Sequence, residues 1–446
     1  MQDIIKNLVK EGMFSKVKDE IVKMNVVDIA SLLEELEEEK MLIIFRLLPK
    51  DIAAEVFSYM SNEQQQYIIE VITDKEIQTI TDRLFLDDTV DILEEMPSNV
   101  VKKILKNTTK QKRQLINLFL KYPENSAGSI MTIEYVDLKK EMKVKDSLEY
   151  IKQIGVDKET VDVCYVINKN RKLEGVVSLR KLVLTDGDIV IKDIMDTNFI
   201  SIPTNADQEE IASLFKKYNL LAMPVVDKEN RLVGIITIDD IVDVIEQENT
   251  EDFQKMAAMT PTDEEYLKNK VFTLAKHRIG WLLLLMISAT FTGHIISKYE
   301  EVLQSVVVLA TFIPVLMDTG GNAGSQSSTL VIRGLTLGEI EAKDILRVLW
   351  KEFRVSVIVG LVLSLVNLAR IYYFEKVDFM VSFTVSISLF FTVIMAKIVG
   401  GALPIIAKKL KFDPAIMAGP LITTIVDTFA LMIYFSFATR FLGISF

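Results

Sequence analysis

The sequence predicts a multidomain membrane protein: an all-α soluble N-domain, a paired α/β unit, a linking helix and a five-helix transmembrane domain. Three observations carry this prediction. The charge is split, with 36 Lys+Arg against 51 Asp+Glu up to Ala275 (net −15) and 15 against 11 from Lys276 onward (net +4). The back segment holds apolar runs that reach the ~20 residues needed to cross a bilayer. The front changes texture near Met131, from apolar residues at helical spacing to alternating strand and helix patterns. The boundaries expected are 1–128, 129–248, 249–275 and 276–446. An acidic soluble segment argues against nucleic acid as a partner and for metal cations or basic surfaces. The single cysteine, Cys164, leaves disulfides no role, as in a reducing compartment. The opening MQDIIKNLVKEG lacks the apolar core of a signal peptide.

In the first segment, SLLEELEEEKMLIIFRLL, DIAAEVFSYM, EQQQYIIEVI and VDILEEM space apolar residues three and four apart, so a superhelix of short helices is expected. LLPKDIAAEVF and EEMPSNVVKKIL each place Pro just ahead of a helical run, a start signal. In the second segment, CYVINKNRKLEGVVSLRKLV (164–183) aligns with MPVVDKENRLVGIITIDDIV (223–242), 59 residues later. The flanking SIMTIEYV and DIMDTNFI repeat as well. This duplication resembles tandem cystathionine-β-synthase (CBS) modules. The resemblance implies a paired regulatory unit that takes an adenosyl nucleotide or a metal. In such modules a Ser or Thr followed three residues later by Asp often holds ribose. Thr237 and Asp240 fit that pattern, while Ser178 and Lys181 in the first half do not. An acidic helix, DIVDVIEQENTEDFQKMAAM, then leads toward the membrane.

Five membrane elements are expected, at about 279–297, 302–334, 354–374, 381–407 and 414–440. Lys and Arg concentrate before the first, between the second and third, and between the fourth and fifth. The positive-inside rule therefore makes the acidic domains cytoplasmic and the C-terminus external, in a membrane expected to be the plasma (inner) membrane. EIEAKDILRVLW (339–350) reads as an amphipathic helix at the inner surface.

The second element carries PVLMDTGGNAGSQSSTLVIRGL, which puts Asp318, Gly320, Gly321, Asn322 and Gly324 at membrane depth. Read as a broken helix, these residues line a polar path, because irregular backbone survives in hydrocarbon only beside a cavity. A helix-packing seam is the alternative reading. Asp427 and Lys397 also fall near the midplane, and ionisable groups there mark ion routes. Lys397 either neutralises a buried Asp or lines the path. Few histidines and one cysteine argue against a soft-metal site, whereas carboxylate, amide and carbonyl oxygens suit a hard cation. Mg²⁺ keeps several waters and needs only one or two carboxylates. No HExxH or GxSxG pattern marks an intramembrane enzyme. A membrane-anchored sensor without transport would need no polar residues at the midplane.

The order of parts, with P-x₅-GGNxGxQ in the second span and DPA…GPL…D in the last, resembles the MgtE magnesium channels and transporters over nearly the whole chain. The resemblance implies a homodimer in the lipid bilayer, with one Mg²⁺ pore at the subunit contact, closed by intracellular Mg²⁺. Channel and carrier are not distinguished, and a broader Co²⁺ or Mn²⁺ transporter stays open. It implies that Asp427 holds hydrated Mg²⁺ and that Gly320, Gly321 and Asn322 form the pore break, with Asp318 beside it. The implied sensing carboxylates are Glu55, Asp87, Asp91, Asp207, Glu209, Asp240, Asp243, Glu248, Glu251, Asp252 and Asp413. ATP at the CBS pair is a further implication, through Thr237 and Asp240. Gly419 stands where some members carry Asn, and Asn219 where some carry an acid.

Overall fold

The computed structural model describes residues 2–262, 266, 267 and 269–443. The chain divides into two compact units, Met1–Ile245 and Glu246–Phe446.

The first unit opens with ten helices of eight to ten residues, from α1 (Gln2–Lys10) to α10 (Lys110–Phe119). Helices this short are marginal alone and depend on tertiary packing. They stack in two layers. In one, α3 (Val26–Glu34), α5 (Lys50–Ser58), α7 (Asp74–Thr81) and α9 (Ser98–Asn107) pack in succession. In the other, α2 (Phe14–Ile21) packs on α4 (Glu38–Leu47), and α4 on α6 (Asn62–Val71). Helix α8 (Leu86–Glu95) packs on α10. Pro49 and Pro97 occupy the N-caps of α5 and α9, as the sequence predicted. Thr73 and Glu76 close a capping box on α7. The core between the layers, with Ile29, Leu33, Ile44, Val56, Ile68 and Val90 fully buried, runs on into Ile211, Met223 and Ile236 of the second α/β module.

The duplication folds as two three-stranded sheets of one topology. Strand β1 (Val136–Leu138) runs parallel to β2 (Val163–Ile167), which pairs antiparallel with β3 (Leu173–Ser178). Strands β4 (Ile202–Pro203), β5 (Ala222–Val226) and β6 (Leu232–Thr237) repeat this. The 59-residue offset holds to the residue: Cys164 pairs with Val177 as Met223 pairs with Ile236, and the register shifts once in each hairpin at the matching place. Each module adds its helices, α11 (Val144–Ile154), α12 (Leu179–Leu184) and α13 (Ile191–Ile194) in the first and α14 (Gln208–Tyr218) in the second. The repeated SIMT and DIMD segments explain themselves. Thr132 bridges Ile235 and Asp196 bridges Val176, so SIMT lies against the second hairpin and DIMD against the first.

Helix α15 (Ile238–Met256) begins two residues before the acidic helix expected at 240–259 and ends three residues before its last residue. Its start is fixed by Thr237, whose Oγ1 donates to Asp240 at 2.7 Å. At its end Ala258 adopts a left-handed conformation, and Gln254 clasps the backbone of Thr262 through two hydrogen bonds, of 3.0 and 2.7 Å.

Among the described residues, the second unit holds five helical segments long and apolar enough to cross a membrane. They centre on α16 (Val271–Lys298), α18 (Ile313–Thr336), α19 (Ile345–Ala369), α20 (Phe379–Lys409) and α21 (Gly419–Leu442), with a short α17 (Glu300–Ser305) before the second. Two expectations are corrected here. The GGNAGSQ stretch is not a break: Ile313–Thr336 is one continuous α-helix. The irregular backbone lies earlier, in the 3₁₀ turn Val307–Phe312, where buried Tyr434 donates to the Leu309 carbonyl at 2.9 Å. That bond satisfies a group that hydrocarbon cannot. Residues 339–350 form no separate surface helix either. A 3₁₀ turn, Ala342–Asp344, leads straight into α19.

Candidate ion pathway and regulatory metal sites

Because α18 is unbroken, its two faces can be read from their exposure. Gly320, Gly321, Gly324, Ser327 and Ser328 are buried, whereas Asp318, Asn322 and Gln326 recur every fourth residue on the exposed face. The glycines let neighbouring helices touch α18. A Cβ on Gly321 would lie 2.9 Å from Thr423 Cγ2, and one on Gly400 only 2.2 Å from the Gly324 carbonyl oxygen. Small residues at such crossings are how membrane helices approach closely. The glycines therefore form the packing seam, and the polar residues form a stripe on the other side. Backbone carbonyls at Gly320, Gly321 and Asn322 are committed to the helix ladder, which corrects the expectation of a carbonyl-lined break.

One turn beyond the Gly321–Thr423 contact, the same crossing brings Asp318 and half-buried Asp427 within Coulombic reach of each other. On α21, Thr423 and Thr424 return their hydroxyls to the Pro420 carbonyl, at 2.8 and 2.9 Å. Lys397 is 5% exposed, and its partner is not an Asp. Its ammonium donates to Ser327 Oγ at 3.4 Å, and Ser327 donates to Glu352 Oε2 at 2.6 Å. An isolated charge at this depth costs roughly 2.5–3.5 kcal/mol or more. Glu352 and Ser327 escaped the sequence reading because the three groups lie on three different helices.

In the first unit, carboxylates from three elements converge. Asp87, Asp88 and Asp91 project from α8, Glu159 comes from the loop before β2, and Asp239 and Asp240 stand at the start of α15. Desolvation, then the charges of Asp88 and Asp240, holds Asp87 well above the usual carboxylate range. Desolvation and Asp240 push Asp91 to about 7, although one edge of it stays open to water. Asp88 and Asp240 are raised to about 6, and Glu159 to about 7, in each case chiefly by burial. Glu55, near the end of α5, lies close enough to the cluster that the Tyr59 hydroxyl, raised chiefly by burial, feels it together with Asp88, Asp239 and Glu159. Asp87 Oδ1 and Glu159 Oε2 are buried with no hydrogen-bond partner among the described residues. Among those residues no three His, Cys, Asp or Glu side chains close on a point that would grip a bare ion. Unpartnered but spread-out oxygens fit a cation that retains its waters, as Mg²⁺ does. Asp88, Glu159 and Asp239 were not predicted. Asp88 could have been found as the neighbour of Asp87, but nothing local marks Glu159.

The remaining expected sensors lie elsewhere. Asp207 caps α14, accepting from Glu209 N at 3.0 Å. Asn219 ends the same helix in the left-handed conformation that Asn tolerates, which accounts for the amide there. Asp243 and Glu248 lie along α15. Glu251, Asp252 and Asp413 come together in the second unit around a residue the sequence reading missed. Lys255 bonds Glu251 and, at 2.6 Å, Asp413. Despite partial burial, which favours the neutral amine, these carboxylates hold it firmly protonated. Asp252 is raised to about 6 by desolvation and by Asp413. Asp413 also caps the turn Pro414–Met417 through Ala415 N at 2.8 Å. Thr237 and Asp240 are brought together as predicted, but as a helix cap whose carboxylate also belongs to the acidic cluster.

A carboxylate-bearing polar stripe on packed membrane helices, in a chain that also carries a duplicated α/β unit with clustered carboxylates, points to the class of multi-pass cation transporters. Comparison with known proteins agrees. Residues 313–437 match the family described as divalent cation transporter, 24–125 the MgtE intracellular N domain, and 191–247 a CBS domain. The magnesium transporter MgtE of Bacillus subtilis is 36% identical over 427 residues, 93% of this chain and 94% of that one. That of Thermus thermophilus is 34% identical over 97% of both chains. A crystal structure of the cytosolic domain of the Mg²⁺ channel MgtE in complex with ATP superposes with a TM-score of 0.52 at 32% identity, covering 55% of this chain and all of that one. The soluble part of a magnesium transporter gives 0.53 at 26% identity, over 55% of this chain and 97% of that one. The chain belongs to the MgtE family of magnesium transporters.

Proposed function

We propose that two copies of this chain enclose a single Mg²⁺ path lined by Asp427 and by the Asp318–Asn322–Gln326 face of α18. The observation that carries this reading is the exposure of that face in the single chain. A carboxylate, an amide and a second amide turned toward lipid would be strongly unfavourable, and a second copy of the same helix across a water-filled gap removes the cost. Asp318 and Asp427 then offer a hydrated divalent ion two carboxylates per subunit, with Asn322 and Gln326 as amide partners for its waters. Gly320 and Gly321 contribute by letting α21 approach and not as ligands. The orientation follows the Lys and Arg bias: the first unit and the N-terminus lie in the cytoplasm, and the C-terminus lies outside.

Intracellular Mg²⁺ closes the path by bridging carboxylates that otherwise repel. One group is Glu55, Asp87, Asp91 and Asp240, with Asp88 and Glu159. The other is Glu248, Glu251, Asp252 and Asp413 at the membrane end of α15. Asp207, Glu209 and Asp243 add further charge. A ligand shifts such an equilibrium only by its difference in affinity between states, so several weak sites act together. ATP binding at the second CBS module, near Thr237 and Asp240, is supported by the relative solved with that nucleotide. Mg²⁺ uptake into liposomes tests the whole reading. Asp427→Ala should abolish flux, and removal of residues 1–248 should leave flux that internal Mg²⁺ no longer inhibits. Unchanged flux in the first, or retained inhibition in the second, would refute the corresponding half.

A further inference from the structure

Lys397 is the buried cation of the membrane unit that the proposed path does not use, and its surroundings are built to hold it. Helices α18 and α20 touch at Gly324 and Gly400, backbone against backbone. Next to Gly400, Gly401 leaves room for Glu352 of α19, whose Cγ would sit 3.1 Å from a Cβ there. Lys397 stands one turn before Gly401 on the same helix face. Its ammonium reaches Ser327 on the buried side of α18, and Ser327 passes a hydrogen bond to Glu352. Both bonds run in one direction, from ammonium to hydroxyl to carboxylate, so the hydroxyl joins a buried cation to an anion across three helices.

We propose that Lys397, Ser327 and Glu352 form an intramembrane charge relay that sets the rotation and depth of α18, and with them the aim of Asp318, Asn322 and Gln326. The relay rests on the reading that this face lines the ion path. Ser327 sits one residue from Gln326 and five from Asn322, so a rigid helix turns any shift at the relay into a shift of the stripe. A seam made only of glycines allows sliding and rotation, since small residues offer contact without direction. The relay supplies the direction, because a Lys, a hydroxyl and a carboxylate satisfy one another in a single register. Lys397, Ser327 and Glu352 are thus positioning residues.

The test uses the full chain in liposomes, with Mg²⁺ and Co²⁺ uptake and the melting temperature in detergent as readouts. Lys397→Met and Glu352→Gln should each lower Mg²⁺ flux about tenfold or more, because each leaves the other charge, the buried ammonium or the half-buried carboxylate, without its partner. The double variant should recover to within about threefold of the parent, since no charge is then left unpaired, and Lys397→Arg should stay close to the parent. Ser327→Ala keeps a small buried residue but cuts the relay. It should alter the Co²⁺-to-Mg²⁺ flux ratio about threefold while the melting temperature stays within roughly 2 °C. A double variant no better than the worse single, or Ser327→Ala with an unchanged ratio, overturns the proposal. If the charge variants do not fold, Ser327→Ala decides alone. Asp427→Asn is measured alongside. Intact flux there, with coupling between Lys397 and Glu352 still present, would discard the proposed path and not the relay.

Discussion

Gly419 and Met256 are in backbone contact: a Cβ on Gly419 would lie 2.7 Å from the Met256 carbonyl oxygen, and Gly419 itself has φ +38°. The first residue of α21 and the last of α15 are thus fitted together by a missing side chain. Gly419→Ala should push the end of α15 away and strain the backbone as well. Inhibition by internal Mg²⁺ should weaken severalfold while flux at low Mg²⁺ is kept. Indicator flux at graded internal Mg²⁺ checks this, and an unaltered inhibition curve would count against it.

Asp427 and Asp318 predict a graded loss. Asp427 is half-buried against α18, whereas Asp318 lies exposed on the open stripe, which the proposed path fills with water. Asp427→Asn should reduce Mg²⁺ uptake more than about tenfold, equivalent to ~1.4 kcal/mol of lost ion stabilisation. Asp318→Asn should cost less, roughly two- to fivefold, because solvent already screens that carboxylate. Equal losses in the two variants would remove the distinction drawn from burial.

The acidic cluster makes stability depend on pH with a definite sign. Asp88 and Asp240 near 6, and Asp91 and Glu159 near 7, are all raised above their unfolded values close to 4. Between those limits the folded state holds more protons than the unfolded one, so stability falls as pH climbs. Lys112 is the cation that offsets Asp88, and Glu134 and Asp239 add to the repulsion. The full chain in chelator should melt about 3–5 °C lower at pH 8 than at pH 5.5, and millimolar Mg²⁺ should restore most of this at pH 8 only. Mg²⁺ stabilisation that is equal at both pH values would argue that the ion does not act on these groups.

Much of the fold was legible because it is written locally. Pro49 and Pro97 announced their helices, and the duplication gave two sheets whose registers coincide at Cys164 and Met223. The second span shows where local reading fails. Gly320, Gly321 and Gly324 beside Asn322 look like a broken helix, since glycine loosens an isolated helix and polar groups at midplane call for water. What sequence cannot display is the neighbour. Thr423, Ile422 and Gly400 press into the places where side chains are missing, and that packing outweighs glycine's poor propensity and keeps α18 helical. The relay partners Ser327 and Glu352, and the unpartnered Glu159, were illegible for the same reason. Each owes its role to a residue at least 25 positions away.

Lys255 supplies the last prediction. Its ammonium bonds Glu251 and Asp413, and Asp252 lies close enough to Asp413 to be raised by it. One fixed positive charge therefore stands among carboxylates that a divalent ion is proposed to bridge. Lys255→Met leaves that group without its counter-charge, so repulsion should part α15 from the start of α21 when Mg²⁺ is scarce. The same vacancy gives an incoming Mg²⁺ more uncompensated charge to bind. Flux at low internal Mg²⁺ should therefore rise, and inhibition should become steeper with added Mg²⁺. Both follow from a single titration of flux against internal Mg²⁺, with Lys255→Arg as the charge-preserving control. A curve for Lys255→Met that overlays the parent would mean the ammonium is a bystander. One that is shallower, with lower flux throughout, would mean the lysine recruits the ion instead of standing in for it.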